Sequence, residues 1–487
     1  MSAVPQKPAW PAMSIAQAHA LLTQPGSPLE MEEVVIRGVK TRVWKNAPPT
    51  IRHLLQIGRA HGNKEFLVYE NDRATFETFT RAALAIADEL TKQGVKKGDR
   101  VALIMRNLPE WPAIFFGAEI IGAIVTPLNA WWTGPELEYG LVDSGTKIVF
   151  TDAERLERIS EHLINCPDLK RVYVSRYSDD LPNPIVCRLE DVIGSVNDWG
   201  KLPDRPMPTV DLQPDDDATI LYTSGTTGKP KGALGTHRNM LSNIMAAASS
   251  AARNFLRRGE MPPMPDPNAP QRVSLLSVPF FHATGCFAIM GPTVFAGGKI
   301  VMMRKWEPEQ AMQLIEREKV NLAGGVPTIA WQLIEHPARK KYDLSSLDQV
   351  SYGGAPSAPE LVRKIVEVFP KSLPGNGWGM TETSATCTTH SGEDYEHRPQ
   401  SCGPAVPVCD IKIMSLDGER ELPHGEVGEL WARGPNIVKG YWNKPEATAN
   451  TFVDGWVKTG DLARIDEEGF CFIIDRAKDM LIRGGEN

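Results

Sequence analysis

Short apolar runs alternate with amphipathic stretches along most of the 487-residue chain. Runs rich in Val, Ile and Leu that end at turn residues predict buried strands, and stretches with apolar residues every three or four positions predict helices. Strands are predicted at 100–105, 123–126, 147–150, 171–175, 273–278, 299–303, 321–324 and 350–352, and helices at 308–319 and 358–369. This alternation predicts an α/β fold with mostly parallel, buried sheets.

The segment from 107 to 128 predicts a helix that runs into a strand. Asn107 is predicted to cap the helix, with Pro109 in its first turn and Glu110 as the third residue of a capping box. The apolar run at 113–128 contains Glu119 and two glycines. It is shorter than the ~20 residues that a membrane span needs. We therefore expect a buried helix here and no transmembrane segment.

Two regions depart from the alternation. Residues 257–271 contain five prolines and predict a surface loop between a helix and a strand. From Cys402 onward, short β-type runs alternate with turns such as Asp-Gly and Glu-Gly, which predicts a small antiparallel or barrel-like unit over about 402–474. The chain then ends on Gly-Gly-Glu-Asn, and we interpret this ending as a truncation.

Composition restricts the class of protein. Hydrophobic residues make up 42% of the chain and charged residues 23%, which is typical of a globular protein and excludes bulk disorder, a collagen-like chain and a coiled coil. The 53 basic and 60 acidic residues give a net charge of −7, which argues against nucleic acid as the main partner. The length predicts about three folding units.

The cysteines and the N-terminus bear on the compartment. Seven cysteines are scattered along the chain and none forms a CxxC pair. This pattern predicts neither a disulfide framework nor a structural zinc site, and it favours a reducing compartment. The first thirteen residues contain three prolines and no apolar core of the signal-peptide type. We therefore expect a cytoplasmic protein.

The sharpest local signal is the segment TSGTTGKPKG at 223–232, which follows an apolar run at 218–222. Its glycines let the backbone approach a ligand, while its hydroxyls, N–H groups and two lysines can surround phosphate oxygens. It is not a Walker A loop, because only two residues separate Gly225 from Gly228 and Pro230 follows Lys229. Composition alone also fits a Ser/Thr/Gly-rich surface turn, but the ordered Lys-Pro-Lys-Gly ending favours phosphate binding.

Two glycine-containing segments follow later in the chain. In GNGWGMTET at 375–383, Trp378 can stack on a base, Thr381 can bind phosphate and Glu382 can hold Mg²⁺. YGGAP at 352–356 predicts a strand that enters a tight turn before a helix, and ligands bind beyond the carboxyl ends of strands in open α/β sheets. Taken alone, the first segment also fits a loop with a buried Trp.

Two charged segments near the C-terminus are ambiguous when taken alone. WVKTGD at 456–461 places Asp461 on a predicted turn, where its carboxylate can bind two ribose hydroxyls or can simply cap the turn. DRAKD at 475–479 also fits a solvated run of charges.

In this order, the five segments resemble the signatures of the adenylate-forming (AMP-binding) superfamily, in particular its acyl-CoA synthetase branch. The resemblance extends from about Thr50 to Asn487, and the loop at 223–232 matches the family's phosphate signature without a mismatch. It implies a large N-terminal domain over 1–477, built from two α/β subdomains with mostly parallel sheets and a small distorted β-barrel. Residues 478–487 would then be a hinge and the first residues of a small C-terminal domain that is almost wholly absent.

The resemblance implies roles at the phosphates of ATP. Lys231 and the loop before it would surround the β- and γ-phosphates, Thr381 would contact the α-phosphate, and Glu382 would bind Mg²⁺. Lys231, His282, Thr381 and Glu382 are the implied catalytic residues.

The resemblance also implies how the nucleoside is held. Trp378, at a position where Tyr is commoner, would stack on adenine opposite the 353–356 turn, and Asp461 would bind ribose with the help of Arg476. The implied nucleotide-binding residues are Thr223, Ser224, Gly225, Thr226, Thr227, Gly228, Gly353, Gly354, Ala355, Pro356, Asn376, Gly377, Trp378, Gly379, Asp461, Ile473, Arg476 and Lys478, the last of which lies at the family's hinge.

His282, in PFFHATG at 279–285, matches the family's aromatic-or-His position beside the acyl substrate. A satisfied core histidine is the structural alternative. Amino-acid-activating relatives place an Asp nearby, and the Phe-Phe-His segment has none, so the resemblance implies a plain carboxylic acid, either fatty or aryl. Cys286, Trp331 and the 324–325 glycine pair are expected to shape an apolar pocket.

The implied reaction has two steps. A carboxylate attacks the α-phosphate of ATP, releasing pyrophosphate and leaving an acyl-adenylate, and the sulfur of coenzyme A then displaces AMP. Two alternatives stay open, namely transfer of the acyl group to an amine or a carrier protein, and a non-catalytic nucleotide-binding protein. The family's adenylation lysine has no match in the chain, so we expect it to bind ATP and acid but to catalyse poorly. The basic residues at 339–341 leave peripheral membrane contact open beside a solvated face, and the oligomeric state is not predicted.

Overall fold

The computed structural model describes residues 10–223, 229–264, 266, 268–355 and 357–476. Within these residues, two eight-stranded sheets and one six-stranded sheet contain most of the strands, and an N-terminal hairpin stands apart from them. Helices cover the faces of the two eight-stranded sheets. The predicted α/β fold with mostly parallel sheets is confirmed.

The strands run from residue 31 to residue 476. Their bounds are β1 Met31–Ile36, β2 Val39–Trp44, β3 Glu65–Tyr69, β4 Asp72–Thr75, β5 Arg100–Ile104, β6 Ile124–Pro127, β7 Thr146–Asp152, β8 Arg171–Ser175, β9 Val186–Arg188, β10 Asp217–Thr223, β11 Lys231–Thr236, β12 Val273–Leu276, β13 Lys299–Met302, β14 Leu322–Gly325, β15 Gln349–Gly353, β16 Leu373–Trp378, β17 Thr388–Ser391, β18 Gly403–Pro404, β19 Asp410–Met414, β20 Gly428–Arg433, β21 Gly440–Tyr441, β22 Phe452–Val453, β23 Trp456–Ile465 and β24 Phe470–Arg476.

The α-helices alternate with these strands. Their bounds are α1 Ile15–Leu22, α2 Ile51–Ala60, α3 Phe76–Lys92, α4 Glu110–Glu119, α5 Gly134–Ser144, α6 Ala153–Ile159, α7 Glu190–Ile193, α8 His237–Arg257, α9 Gly291–Ala296, α10 Pro308–Glu318, α11 Pro327–Glu335, α12 Pro359–Val368, α13 Glu393–His397 and α14 Pro445–Thr451. Short 3₁₀-helices cover Ser160–Asn165, Val196–Lys201, Pro337–Lys341 and Thr381–Thr383, and Thr284–Met290 is a π-helix. None of the helices in the described part of the chain is both long and apolar enough to cross a membrane.

Both large sheets have a parallel centre, with antiparallel pairing at one edge of sheet I and at both edges of sheet II. Sheet I has the order β21-β11-β10-β6-β5-β7-β8-β9, and β6, β5, β7, β8 and β9 run parallel to β10. Sheet II has the order β17-β16-β15-β14-β12-β13-β3-β4, and only its outermost strands β17 and β4 are antiparallel to their neighbours. Helices α4, α5 and α6 connect successive parallel strands from β5 to β8, as in βαβ units.

A layer of helices lies between the two large sheets. Helices α2, α3, α4, α8 and α9 contribute to the main hydrophobic core together with residues from both sheets. The alternation of side chains along β5 shows how the sheet serves two layers: Val101 and Leu103 join the main core, whereas Ala102 and Ile104 join a cluster with α5 and α6 on the outer face of sheet I. Helices α10, α11 and α12 cover the outer face of sheet II, which makes five layers in total.

Sheet III contains the C-terminal β-rich part of the chain. Its strands run antiparallel in the order β18-β24-β23-β20-β19, with β22 paired to β23, and they enclose a small apolar cluster that includes Ile413 and Leu430. This arrangement agrees with the antiparallel unit expected over about 402–474. One piece departs from it, because β21 leaves sheet III and pairs with β11 of sheet I, so that Tyr441 lies opposite Ala233.

The predicted cap at Asn107 is wrong. Helix α4 begins at Glu110 with Pro109 at its N-cap, and no side chain caps it. The Asn107 amide instead donates to the carbonyl of Val278 at 3.0 Å and accepts from the N–H of Phe280 at 2.9 Å. Asn107 therefore joins the end of β5 to the segment after β12, and this tertiary contact replaces the local cap.

Candidate functional site

The ends of β15 and β16 in sheet II form the first part of the site. Gly353 pairs with Gly377 in parallel register, so both strands end at the same edge of the sheet. Gly354 follows at φ +72°, a left-handed conformation that glycine adopts without strain, and the chain leaves β15 in a tight turn. The sheet edge thus brings together the predicted residues Gly353, Gly354, Ala355, Asn376, Gly377 and Trp378. Pro356 lies outside the described residues.

The turn after β16 carries Thr381 and Glu382. A Cβ on Gly379 would lie 1.4 Å from the carbonyl oxygen of Ala385, so this predicted position admits no larger residue without moving the backbone. The 3₁₀-helix Thr381–Thr383 ends on two residues with positive φ, Ser384 at 48° and Ala385 at 80°. Such conformations are costly for residues with a Cβ and persist where the surroundings fix them.

Two buried asparagines fix this turn and a third fixes the segment at 435–437, and the sequence patterns did not single them out. Asn436 donates to the carbonyls of Thr383 at 3.0 Å and Thr386 at 2.9 Å. Asn243 donates to the carbonyl of Ser384 at 2.7 Å, and Asn239 donates to the carbonyls of Pro435 and Ile437 at 2.7 and 3.0 Å. Helix α8 therefore holds both the turn that carries Glu382 and the segment that precedes β21. The signal in the sequence is the spacing of four between Asn239 and Asn243, which places both on one face of a helix.

Glu382 is buried at the base of the site, with 5% of its surface exposed. The hydroxyl of Tyr441 donates to its Oε1 at 2.6 Å. Burial raises the pKa of Glu382 above its ordinary value, whereas the Tyr441 hydrogen bond and the charges of Lys231 and Arg476 act in the opposite direction. The charges of two cations from different sheets therefore favour the ionised form of this buried carboxylate.

Lys231 begins β11 directly opposite Thr223, the last residue of β10. The antiparallel pair thereby closes the loop at 224–230, the predicted phosphate loop. Ser224, Gly225, Thr226, Thr227 and Gly228 lie outside the described residues. The Lys231 ammonium lies 4.4 Å from the centre of the Tyr441 ring, and the hydroxyl of Tyr139 donates to the carbonyl of Pro230 at 3.0 Å. Both ends of the predicted loop are thus held near Glu382.

Trp378, Asp461 and Arg476 form a connected group beside the turn. The Trp378 Nε1–H donates to Oδ2 of Asp461 at 2.8 Å, and Oδ1 of Asp461 lies 3.5 Å from Nε of Arg476. Asp461 and Arg476 are opposite each other in the β23–β24 pair, so sheet III supplies the acid and the cation while sheet II supplies the indole. The structure therefore joins three of the predicted nucleotide-binding residues through direct contacts.

Asp461 lies inside a strand, and its predicted place on a turn is wrong. β23 runs continuously from Trp456 to Ile465, and the turn-like signal comes from Gly460, which has φ +72° in an irregular part of the strand. Asp461 is 8% exposed, and burial raises its pKa above the ordinary value of 3.8 although the hydrogen bond from Trp378 opposes the shift. Ile473 pairs with Ala463 in the same sheet, and Lys478 lies outside the described residues.

His282 lies in the segment between β12 and the π-helix that Asn107 holds. The residue is exposed, so the alternative of a satisfied core histidine does not hold. Its neighbours nevertheless desolvate the ring and lower its pKa below the ordinary value of 6.5, which favours the neutral form at pH 7. Trp131, 52% exposed, contacts Phe281 edge-on at 5.2 Å between ring centres and lies 6.2 Å from the His282 ring. The exposed rings of Trp131 and His282 therefore lie beside the buried ring of Phe281.

The other residues expected around the acyl group are dispersed. Cys286 belongs to the main core, whereas Trp331 packs against the cluster on the outer face of sheet II. The structure therefore does not join these two side chains in one wall. Gly325 lies closer to the His282 segment, since a Cβ on it would be 3.1 Å from the Val278 side chain.

The candidate site residues fall into two separate groups, which we name the nucleotide side and the acyl side. Lys231, Trp378, Glu382, Asp461 and Arg476 form the nucleotide side, and Arg106, Trp131, Phe281 and His282 form the acyl side. The Arg106 guanidinium lies 5.6 Å from the centre of the Trp131 ring. Among the described residues, no hydrogen bond or ring contact joins His282 to the nucleotide side.

A family model with the description "AMP-binding enzyme" matches residues 55–442 of the chain. The feruloyl-CoA synthase of an Amycolatopsis species is 32% identical over 415 residues, which cover 85% of this chain and 75% of that protein. The long-chain-fatty-acid–CoA ligase of Bacillus subtilis strain 168 is 32% identical over 446 residues, which cover 87% of this chain and 76% of that protein.

The fold is also similar to a solved structure. The inhibitor-bound N-terminal domain of FACL13 from Mycobacterium tuberculosis superimposes with a TM-score of 0.74 at 28% sequence identity. The match covers 88% of this chain and 100% of that domain.

Proposed function

Because the chain belongs to the AMP-binding enzyme family, we propose that this site activates a carboxylic acid with ATP and transfers the acyl group to coenzyme A, releasing AMP and pyrophosphate. The relatives named above act on an aryl acid and on long-chain fatty acids, so the chain is an acid–thiol ligase whose substrate is an apolar carboxylic acid. ATP and coenzyme A are its co-substrates.

The observation that carries the proposal is the meeting of three sheets around the turn that carries Glu382. Tyr441 of sheet I donates to Glu382 and places its ring beside Lys231. Asp461 of sheet III joins Trp378 of sheet II to Arg476. Adenylation creates negative charge at the α-phosphate and at the departing pyrophosphate, so it needs fixed cations and donors. A buried site with charges fixed in this way is suited to that step.

Lys231 and Thr381 act on the phosphates in this proposal. Lys231 is fixed at the end of the phosphate loop, where its ammonium offsets charge on the β- and γ-phosphates. The half-buried Thr381 hydroxyl, at the start of the turn, donates to the α-phosphate. Each of these groups contributes on the order of 10²-fold to 10³-fold in rate, as single donors do in comparable sites.

Glu382 fits a magnesium ion that is shared with ATP. Mg²⁺ is usually bound by one or two carboxylates together with substrate phosphates and water. Within the described residues, no group of three or more His, Cys, Asp or Glu side chains could enclose a metal ion, which agrees with this mode. Mg²⁺ at Glu382 would neutralise phosphate charge, and the chain's own part is to hold the carboxylate in one orientation.

Trp378 and Asp461 hold the nucleoside in this proposal. The Trp378 ring and the glycine turn after β15 form two faces that can enclose a planar base. Asp461 accepts hydrogen bonds from the ribose hydroxyls, and its contacts with Trp378 and Arg476 fix its carboxylate before ATP arrives. Burial makes these hydrogen bonds stronger than they would be in water.

His282 and Trp131 face the acid. The neutral imidazole and the Trp131 and Phe281 rings offer apolar surface to the acid, and the Phe-Phe-His segment itself contains no acidic residue for an ammonium group, which agrees with a plain carboxylic acid. Coenzyme A then attacks the adenylate carbonyl through its thiolate, and the bond between that carbonyl and the α-phosphate oxygen breaks to release AMP.

A mass-spectrometric end-point assay tests the proposed function. The chain is incubated with ATP, Mg²⁺ and a mixture of fatty and aryl acids, with and without coenzyme A. Because the family's adenylation lysine has no match in the chain, we expect slow formation of acyl-CoA, only in the tube that contains coenzyme A, together with equal amounts of AMP and pyrophosphate. An amide product, or a folded chain that binds neither ATP nor acid, would contradict the proposed function.

A further inference from the structure

Tyr441 occupies a place where two sheets meet the catalytic turn. It belongs to β21, which follows β20 of sheet III along the chain but pairs with β11 of sheet I. The backbone next to it is anchored on both sides, since the N–H of Trp442 donates to the carbonyl of Gly232 at 2.7 Å and the N–H of Val438 donates to the carbonyl of Glu382 at 3.1 Å. The Tyr441 side chain is therefore fixed relative to both Lys231 and Glu382.

The side chain makes two different contacts with two proposed catalytic residues. Its hydroxyl donates to Oε1 of Glu382 at 2.6 Å, and its ring lies 4.4 Å from the Lys231 ammonium. In the part of the chain that the structure describes, no side chain other than Tyr441 donates a hydrogen bond to the Glu382 carboxylate. One residue thus holds a cation through its ring and an anion through its hydroxyl.

We propose that Tyr441 is a positioning residue that sets the Glu382 carboxylate for Mg²⁺ through its hydroxyl and sets the Lys231 ammonium for phosphate through its ring. A buried carboxylate without a hydrogen-bond donor can rotate about its terminal C–C bond. A charge-assisted hydrogen bond to one oxygen fixes the plane of the carboxylate and therefore the direction of the other oxygen. Partners of this kind, which hold a metal ligand from behind, commonly change metal affinity by roughly 10-fold to 100-fold when removed. A ring face attracts an ammonium group, so the ring restricts Lys231 without neutralising its charge.

The proposal rests on the proposed function, and two variants separate the hydroxyl from the ring. Y441F removes the hydroxyl and keeps the ring, whereas Y441L removes both. Tyr173 provides a matched control, because its hydroxyl donates to Oε1 of Glu89 at 2.6 Å. Tyr173 belongs to β8, which lies towards the opposite edge of sheet I from β11 and β21. Y173F therefore removes an equivalent Tyr–Glu hydrogen bond away from the site.

Calorimetric titration of ATP, with Mg²⁺ and separately with EDTA, measures the two contacts independently of turnover. For Y441F we expect the gain in ATP affinity that Mg²⁺ gives to fall about tenfold, with the affinity in EDTA unchanged within about twofold. For Y441L we expect the affinity in EDTA to fall as well, because the Lys231 ammonium loses its support. Y173F should match the wild type in both titrations.

The outcomes separate the two proposals. If the folded wild type does not bind ATP in either buffer, the proposed function fails and the role of Tyr441 fails with it. If the wild type binds ATP with a gain from Mg²⁺ and Y441F keeps the full gain, the proposed function stands and the role of the hydroxyl is wrong. Equal losses with Mg²⁺ and in EDTA for Y441F, or a loss of the gain in Y173F, would show a general structural effect and overturn the proposal.

Discussion

The nucleotide side and the acyl side hold their residues by different physical means. On the nucleotide side, Trp378 donates a hydrogen bond of 2.8 Å to Asp461 of sheet III, and Glu382 accepts one of 2.6 Å from Tyr441 of sheet I. The carboxylates of Asp461 and Glu382 are buried. On the acyl side, Trp131 and His282 are exposed, and the Trp131 ring lies 5.2 Å from the Phe281 ring and 6.2 Å from the His282 ring between centres. Hydrogen bonds fix direction, whereas ring contacts fix only proximity.

This difference indicates which part of the chemistry is fixed before substrates bind. Catalysis of adenylation depends on donors and charges that do not reorganise, and the nucleotide side meets that condition. An apolar acid is recognised mainly by the area it buries, so exposed rings can accept acids of more than one shape. The 32% identity to both an aryl-acid and a fatty-acid ligase agrees with this division.

The largest effect is expected for E382Q, which keeps the shape of the side chain and removes its charge. We expect acyl-CoA formation to fall about 100-fold to 1,000-fold, because Mg²⁺ loses its proposed protein carboxylate. The end-point assay with wild type and variant at equal concentration measures it. E89Q is the control, since Glu89 accepts an equivalent hydrogen bond from Tyr173 outside the site. An E382Q chain as active as the wild type would contradict the proposed role of Glu382 and, with it, the claim that the nucleotide side is fixed for catalysis.

N436A should have the next largest effect. It leaves the buried carbonyls of Thr383 and Thr386 without their donor, at a cost of about 2–3 kcal/mol in the free energy of unfolding. Product formation should fall too, because the turn that carries Glu382 is then less constrained. Urea unfolding followed by tryptophan fluorescence measures the stability. N254A removes one hydrogen bond to Ser391 and should cost less without altering product formation. Equal effects of the two variants would contradict the role of the asparagines.

D461N tests the binding of ribose by Asp461 and the direction in which burial shifts the pKa of its carboxyl group. We expect ATP affinity to fall about tenfold, since the ribose loses a charged acceptor. The raised pKa means that the folded state binds this proton more readily than the unfolded state, so Asp461 stabilises the fold least at neutral pH. D461N should therefore melt no lower than the wild type at pH 7, and any advantage should shrink as the pH falls towards 3.8. An advantage that grows on acidification would show that the pKa is lowered. D410N, on β19, is the control for ATP affinity.

W131A should have the smallest effect and should sharpen the contrast between the two sides. We expect the apparent affinity for the best acid to fall about threefold to tenfold, with ATP affinity unchanged, because the ring lies on the acyl side alone. Competition among acids of different size in the end-point assay measures this change. W306A removes a tryptophan that bonds to Gln332 instead, and it should leave the acid preference unaltered. A loss of ATP affinity in W131A would show that the two sides are not separate.

Much of the fold and of the nucleotide side could be predicted because local patterns carry them. The short apolar runs mark strands such as β5, β8 and β15 within a residue or two, since burial on both faces requires apolar residues throughout. The family and the acid–CoA ligase function predicted from the five segments are confirmed by the comparisons. The individual roles of the site residues stay predictions.

What the sequence did not predict depends on contacts between distant segments. Asn107 has the pattern of a cap, but the same amide can hold a remote strand end, and only the tertiary structure decides between the two uses. Gly460 suggests a turn, but here it is an irregularity within β23. Tyr441 shares no local pattern with Glu382, from which it is 59 positions away in the sequence.

One measurement tests the central claim that two separately held sides form a single ligase site. Sulfamoyl adenosine, with and without an attached acyl chain, is titrated into the wild type, D461N and W131A by calorimetry. We expect the wild type to bind the acylated compound more tightly, D461N to bind both compounds about tenfold more weakly, and W131A to lose affinity only for the acylated one. Unchanged binding in D461N, or an equal loss for both compounds in W131A, would contradict the account.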